Sequence, residues 1–224
     1  RRFWIKWKRC FVDGILVVDK PKGITSHDVV DIVRRAFGIK KVGHAGTLDP
    51  LATGVLPLAF GEATKTVPFL VDARKAYRFT VRWGEERDTD DADGKATATS
   101  NQRPTPAAIV ALLPNYTGTI SQVPPRYSAI KIDGERAYDL ARAGEVVELE
   151  ARPVRIDVLK LVESPSADTA VFEARCGKGT YVRALARDMG RALGCLGHVI
   201  ALRRTRVASF LEADAVSLEA LRAA

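Results

Sequence analysis

One aspartate stands alone in an apolar, glycine-rich stretch of this chain. Residues 42–61 read VGHAGTLDPLATGVLPLAFG and carry a single formal charge, Asp49, in a protein whose residues are 28% charged. At that background rate about five or six charges would be expected, so this carboxylate is either satisfied locally or available for work. Gly43, Gly46, Gly54 and Gly61, with Pro50 and Pro57, interrupt any long helix or central strand. Such backbone can aim a short, stiff side chain. Two readings follow: a carboxylate that acts in catalysis, or one that caps a short helix at Leu51.

A second group of residues could supply its counterpart. The run CGKGTYVR, residues 176–183, ends a strand and opens a helix, and Arg183, Arg187 and Arg191 then recur at i, i+4 and i+8. One basic face beside a helix N-terminus is an anion site, and phosphate binding is its natural reading. It lacks the glycine spacing and the Lys-Thr or Lys-Ser pair of a Walker loop. Alternatively, the guanidinium fork of Arg183 orients Asp49, the carboxylate in need of a partner.

These residues need elements to hold them. Residues 15–18 form a short apolar strand that runs into a DKPKG turn. Ser26 is predicted to cap a helix whose Val29, Val30, Val33 and Phe37 recur at helical spacing before Gly38. Tyr77, Phe79, Val81 and Trp83 alternate with Arg78, Thr80 and Arg82 as a half-exposed strand. Residues 85–94 hold six acids and end in Asp93-Gly94, a hairpin signal; read as a calcium loop, they fail at the first and last ligand positions. Thr105 and Pro106 open a helix through Leu113. Residues 124–152 are predicted to form a charged, mobile arm, followed by strands at 154–162 and 169–176. Thr180 is predicted to cap the helix carrying Val182, Leu185, Met189 and Leu193, and a weak helix covers 217–222. Strand-rich order without βαβ regularity implies an α+β fold.

The chain has 224 residues, 46% of them hydrophobic, enough to bury a substantial core in one large domain. The net charge of +8 is concentrated. RRFWIKWKR at the start holds five basic residues, and residues 175–206 hold eight against one acid, Asp188. That clustering suits a polyanion such as nucleic acid, or else a solvated helix face. Cys10, Cys176 and Cys195 lack metal or disulfide spacing, as do His27, His44 and His198, so no metal site is predicted and free thiols in a reducing cytoplasm fit best. No apolar run reaches membrane length.

Five motifs in order, DKPKGITS (19–26), GHAGTLDPLATGVLP (43–57), PPRYSAIK (124–131), GKGTYVR (177–183) and HVIALRR (198–204), resemble those of bacterial TruB-type tRNA pseudouridine synthases. The resemblance runs from about residue 14 to 211. It implies a pseudouridine synthase fold, a mixed and mostly antiparallel sheet flanked by helices and loops, spanning residues 14–212. Residues 1–13 are then a basic-aromatic tail outside the core, and 213–224 a terminal helix where relatives commonly carry a further small RNA-binding domain. The implied reaction is isomerisation of the T-loop uridine 55 of tRNA, without cofactor or metal, by a monomer with no obligate protein partner. Asp49 is implied as nucleophile and Arg183 as its partner. Tyr77 is placed against the flipped base, Tyr181 and Leu202 line its pocket, and His44 supports the rearranged T-loop. Lys20, Lys131, Arg203 and Arg204 are expected to contact RNA, and Arg142 and Asp91 to join a charge network. A non-catalytic T-loop-binding protein and a guide-dependent pseudouridylase are the competing functions. The first need not keep Asp49 with Arg183, and the second needs partner proteins.

Overall fold

The computed structural model describes residues 13–128, 130–132, 135–143 and 149–223. In chain order these form β1 (Gly14–Lys20), α1 (Ser26–Phe37), β2 (Val42–His44), β3 (Thr53–Phe60), α2 (Val67–Asp72), β4 (Lys75–Trp83), β5 (Glu85–Arg87), β6 (Ala96–Thr99), α3 (Pro106–Leu112) and β7 (Gly118–Gln122). There follow β8 (Lys131–Ile132), β9 (Glu135–Arg136), α4 (Ala137–Arg142), β10 (Arg152–Ser166), β11 (Thr169–Cys176), α5 (Val182–Ala192), β12 (Gly197–Val207), β13 (Phe210–Leu211), β14 (Val216–Ser217) and α6 (Leu218–Ala223). The main sheet runs β14-β1-β3-β12-β4-β11-β10-β7, with β2 added to β3 and β13 to β12. Only β1–β14 and β3–β12 are parallel within it, so the expected α+β class with a mixed, mostly antiparallel sheet is the observed one. Among the described residues no helix is long and apolar enough to cross a membrane.

The alternation in β4 places Phe79, Val81 and Trp83 in the core, where Phe79 stacks on Phe172 of β11 with ring centroids 5.3 Å apart. The short parallel contact of β3 with β12, Arg203 to Thr53 and Arg204 to Gly54, is what brings the Asp49 loop beside the sheet centre. Gly54 sits there at φ +101°, and a Cβ on it would lie 2.2 Å from the Arg204 carbonyl oxygen. Only glycine accepts both the left-handed backbone and that approach.

Helix α1 fixes the loop from its other side. Its cap is Thr25 rather than Ser26: the Thr25 hydroxyl accepts from Asp28 N at 3.0 Å, and the Asp28 carboxylate accepts from Thr25 N at 2.8 Å, a capping box. Ser26 is thereby released to point inward. Its buried hydroxyl donates to Leu48 O at 3.1 Å and accepts from Leu48 N at 2.8 Å, one residue before Asp49. The sheet also continues past the expected boundary at residue 212. Val216 pairs with Val18, and Leu218 is buried in the main core. Residues 1–12, nearly all of the predicted tail, lie outside the described residues.

Candidate active site

Asp49 and Arg183 meet. Arg183 Nε lies 2.9 Å from Asp49 Oδ2, and the same guanidinium donates to Thr89 O at 2.8 Å and Tyr127 O at 2.9 Å. Asp91 Oδ2 stands 3.6 Å from Nε. The Arg183 side chain is 5% exposed and that of Asp49 37%. A buried, fully occupied cation therefore holds a carboxylate that still faces outward. Helix α5 supplies Arg183 one residue after its start, which is fixed by buried Gln122: Tyr181 N donates to Gln122 Oε1 at 2.9 Å, and Gln122 Nε2 to Tyr181 O at 3.1 Å. The cap position is Tyr181, not Thr180, and no side chain caps it.

The arginine row of α5 is not an open phosphate face. Each member is matched by an acid from the segment around the β5–β6 hairpin: Arg183 by Asp91, Arg187 by Asp90 at 2.9 Å, and Arg191 by both oxygens of Glu86 at 2.6 and 2.7 Å. The helix repeat of 3.6 residues stacks the three guanidiniums on one side, and the six-acid segment lies along them. Arg187 also donates to Asp188 at 2.8 Å and to Val123 O at 2.7 Å. The two buried arginines thus hold both the hairpin and the root of the 124–152 arm. Thr89, Asp90 and Gln122 were not among the sequence candidates, Ser26 was read only as a helix cap, and Arg187 only as part of a phosphate face. The signal available for them was the acidic run standing against arginines at helical spacing.

Burial raises the proton affinity of Asp91, opposed by the Thr89 hydroxyl, which donates to it at 2.6 Å, and by Arg183. Asp90, at φ 60°, is pushed up to about 6, chiefly by burial and against the pull of Arg187. Between about pH 4 and 6 the folded state then binds a proton that the unfolded chain has released, so this group's contribution to stability falls as pH rises through that window. The loss is of order 1–3 kcal/mol. Urea unfolding at pH 4.5 and 6.5 is expected to show wild type losing stability relative to Asp90→Asn; parallel pH profiles would contradict it.

The other sequence candidates divide. Tyr77 lies on β4 between Arg204 of β12 and Ala174 of β11; burial raises its hydroxyl pKa, with the neighbouring Arg204 opposing. His44 Nδ1 is buried without a hydrogen-bond partner among the described residues, and burial followed by Arg204 lowers its pKa, which favours the neutral ring. Tyr181 is partly buried, and burial raises its pKa too. Leu202, 8% exposed, lines a cleft of about 320 Å³ with Leu51, Thr53, Phe79 and Ala201, opening beside the Asp49 loop.

Lys20 and Arg204 depart from the expected RNA contacts. Lys20 is wholly buried and donates to Ala52 O at 2.6 Å and Pro21 O at 2.9 Å; burial lowers its pKa to about 8 against the pull of Asp49. Arg204, 1% exposed, donates to Val55 O at 2.8 Å and Gly46 O at 3.0 Å. Both are internal cations that satisfy backbone carbonyls, among them Gly46 O and Ala52 O of the irregular stretch between β2 and β3. Arg203 forks onto Asp19 at 3.0 Å and pairs with Glu212. The side chains of Lys131 and Arg142 lie outside the described residues.

Residues 34–182 match the family model of the TruB family pseudouridylate synthase N-terminal domain, and residues 183–224 that of the tRNA pseudouridylate synthase B C-terminal domain. The chain belongs to the TruB family. In this TruB chain the second match covers α5, β12, β13, β14 and α6, of which α5, β12 and α6 contribute to the main core and β13 packs on a smaller cluster of Val17, Val55 and Val207. It is 66% identical over 212 residues to the tRNA pseudouridine synthase B of Bradyrhizobium diazoefficiens, covering 95% of this chain and 61% of that protein. It is equally identical to that of Rhodopseudomonas palustris, covering 58% of it. The chain thus spans about three-fifths of the length of these curated relatives. Among solved structures it resembles a chain of a Cbf5-Nop10-Gar1 complex with a TM-score of 0.73 and 29% identity, over 92% of this chain and 52% of that one. It also resembles a chain of an H/ACA RNP bound to a substrate RNA containing 2'-deoxyuridine, with a TM-score of 0.69 and 27% identity, over 92% of this chain and 51% of the other. The α+β architecture is the pseudouridine synthase fold.

Proposed function

We propose that this chain carries the catalytic centre of a tRNA pseudouridine synthase that isomerises the T-loop uridine 55 with Asp49 as nucleophile. The observation that carries the reading is the outward-facing Asp49 carboxylate held at 2.9 Å by a buried arginine that has three further acceptors. A carboxylate held in direction by a buried arginine yet still open to solvent can reach a substrate, as a nucleophile has to.

The target uridine leaves its stack, at a cost of a few kcal/mol, and enters the space between Tyr77, Tyr181 and the Asp49 loop. Asp49 attacks the sugar or the uracil ring as the bond from N1 to the sugar breaks. The freed uracil turns and rejoins the sugar through C5, the bond to Asp49 breaks and returns its electron pair to the carboxylate, C5 loses its proton, and N1 gains one. Atoms and electrons balance without oxidant, reductant or cofactor. Tyr77 supplies a platform for the base, and Arg183 fixes the direction of attack. His44, whose ring burial keeps neutral, stands in the Asp49 loop, where it supports the folded T-loop. The deciding experiment incubates the protein with an unmodified tRNA transcript and with one carrying cytidine at the target position, then maps pseudouridine. Product at position 55 of the first alone is expected; tRNA binding without product would overturn the reading.

A further inference from the structure

Asp49 and Arg183 both stand on backbone with little regular structure to hold it. Asp49 lies between β2 and β3, and Arg183 is the second residue of α5, just after the turn that follows β11. Without a neighbouring strand, the N–H and C=O groups there are placed by whatever else bonds them. In each segment one buried side chain does so.

Ser26, 2% exposed, opens α1; its hydroxyl donates to Leu48 O at 3.1 Å and accepts from Leu48 N at 2.8 Å. Gln122, also 2% exposed, ends β7; its amide oxygen accepts from Tyr181 N at 2.9 Å and its amide nitrogen donates to Tyr181 O at 3.1 Å. Among the described residues no other side chain bonds both the N–H and the C=O of a single residue. Two such bonds hold a residue as a hydrogen-bonded pair does in an antiparallel ladder. Leu48 precedes Asp49 by one residue, and Tyr181 precedes Arg183 by two. Each clamp is itself anchored. Ser26 follows the Thr25 capping box, and Gln122 pairs through its backbone with Arg152 of β10. On the other side of Asp49, Pro50 O accepts from Gly23 N at 2.8 Å, so the turn that delivers Ser26 grips both neighbours of the carboxylate.

We propose that Ser26 and Gln122 are positioning residues for the reaction, which together set the direction and reach of the Asp49 carboxylate. The inference rests on the reading of Asp49 as nucleophile. Ser26 acts from the Asp49 loop, through Leu48, and Gln122 from the start of α5, through Tyr181 to Arg183. Both converge on one distance, the 2.9 Å between Arg183 Nε and Asp49 Oδ2. Arg183 is poorly placed to follow a displaced loop, because its other nitrogens are engaged on Thr89 O and Tyr127 O. A misplacement of about 1 Å is enough to slow a reaction on the order of a hundredfold. Both side chains are too deeply buried to bear on a bound RNA, so their contribution lies in turnover rather than in binding.

The test measures steady-state pseudouridine formation on an unmodified tRNA transcript, with Asp49→Asn alongside. Ser26→Ala and Gln122→Met are each expected to lower kcat about tenfold and to change KM less than about twofold. Methionine keeps the length of Gln122 while removing both bonds. Ser26→Cys, which keeps a weak donor and acceptor of similar size, recovers part of the loss. The double variant falls about twentyfold rather than the hundredfold of independent effects, because a pair misaligned from one side loses less when released from the other. Thr105→Ala, which removes the cap bond to Ala108 N at 3.1 Å on α3, lowers the urea midpoint and leaves kcat unchanged. Clamp variants that lose stability at wild-type kcat, that raise KM alone, or whose effects multiply in full overturn the proposal. Turnover that survives Asp49→Asn removes the nucleophile and the clamps with it. An inactive Asp49→Asn beside clamp variants at wild-type kcat removes the clamps alone.

Discussion

Asp49→Asn is expected to lower pseudouridine formation by four orders of magnitude or more, about 5.5 kcal/mol in barrier height, while changing tRNA affinity less than about threefold. The amide keeps the size and position of the carboxylate but is no nucleophile. The fold tolerates the change because Arg183 retains Asp91, Thr89 O and Tyr127 O as acceptors, and because the loop is held through Ser26, Lys20 and Arg204 rather than through Asp49. Single-turnover assays on a tRNA transcript with base mapping give the rate, and filter binding gives the affinity. A variant retaining a tenth of wild-type turnover would remove Asp49 from the chemistry.

The second large effect concerns stability. Arg187→Leu is expected to cost about 3 kcal/mol, since it strands the buried Asp90 carboxylate and the Val123 carbonyl. For a domain of this size that is a fall of roughly 6–12 °C in melting temperature. Arg191→Leu, at the exposed end of the same row, is expected to cost less than about 1 kcal/mol, because its pair with Glu86 is only partly desolvated. Thermal unfolding followed by circular dichroism compares them. Equal losses would show that burial does not grade the row.

Much of the local structure was legible beforehand. The alternation in β4, the helical stripe of α1 and the turn after Cys176 each follow from side-chain periodicity over a few residues, and there the expected elements are the observed ones. Caps were less legible: Thr25 and Ser26 have similar side chains, and which one turns inward depends on Leu48, 22 residues away. The charged residues were least legible. Lys20 and Arg204 read as surface cations, yet Lys20 is spent on Ala52 O and Arg204 on Gly46 O, carbonyls of the irregular stretch between β2 and β3, and Arg204 also on Val55 O of β3.

By itself the sequence determined the family, the α+β class and the singularity of Asp49, because motif order, periodicity and composition are properties of the chain as written. Which charge faces which was decided only by the tertiary structure. Arg183, Arg187 and Arg191 reach partners 94, 97 and 105 residues distant in the chain, and no local pattern distinguishes a basic face awaiting phosphate from one already matched by a distant acidic hairpin. Coulomb attraction depends on separation in space, and the crossing of β3 with β12 and the packing of α5 against the hairpin set that separation.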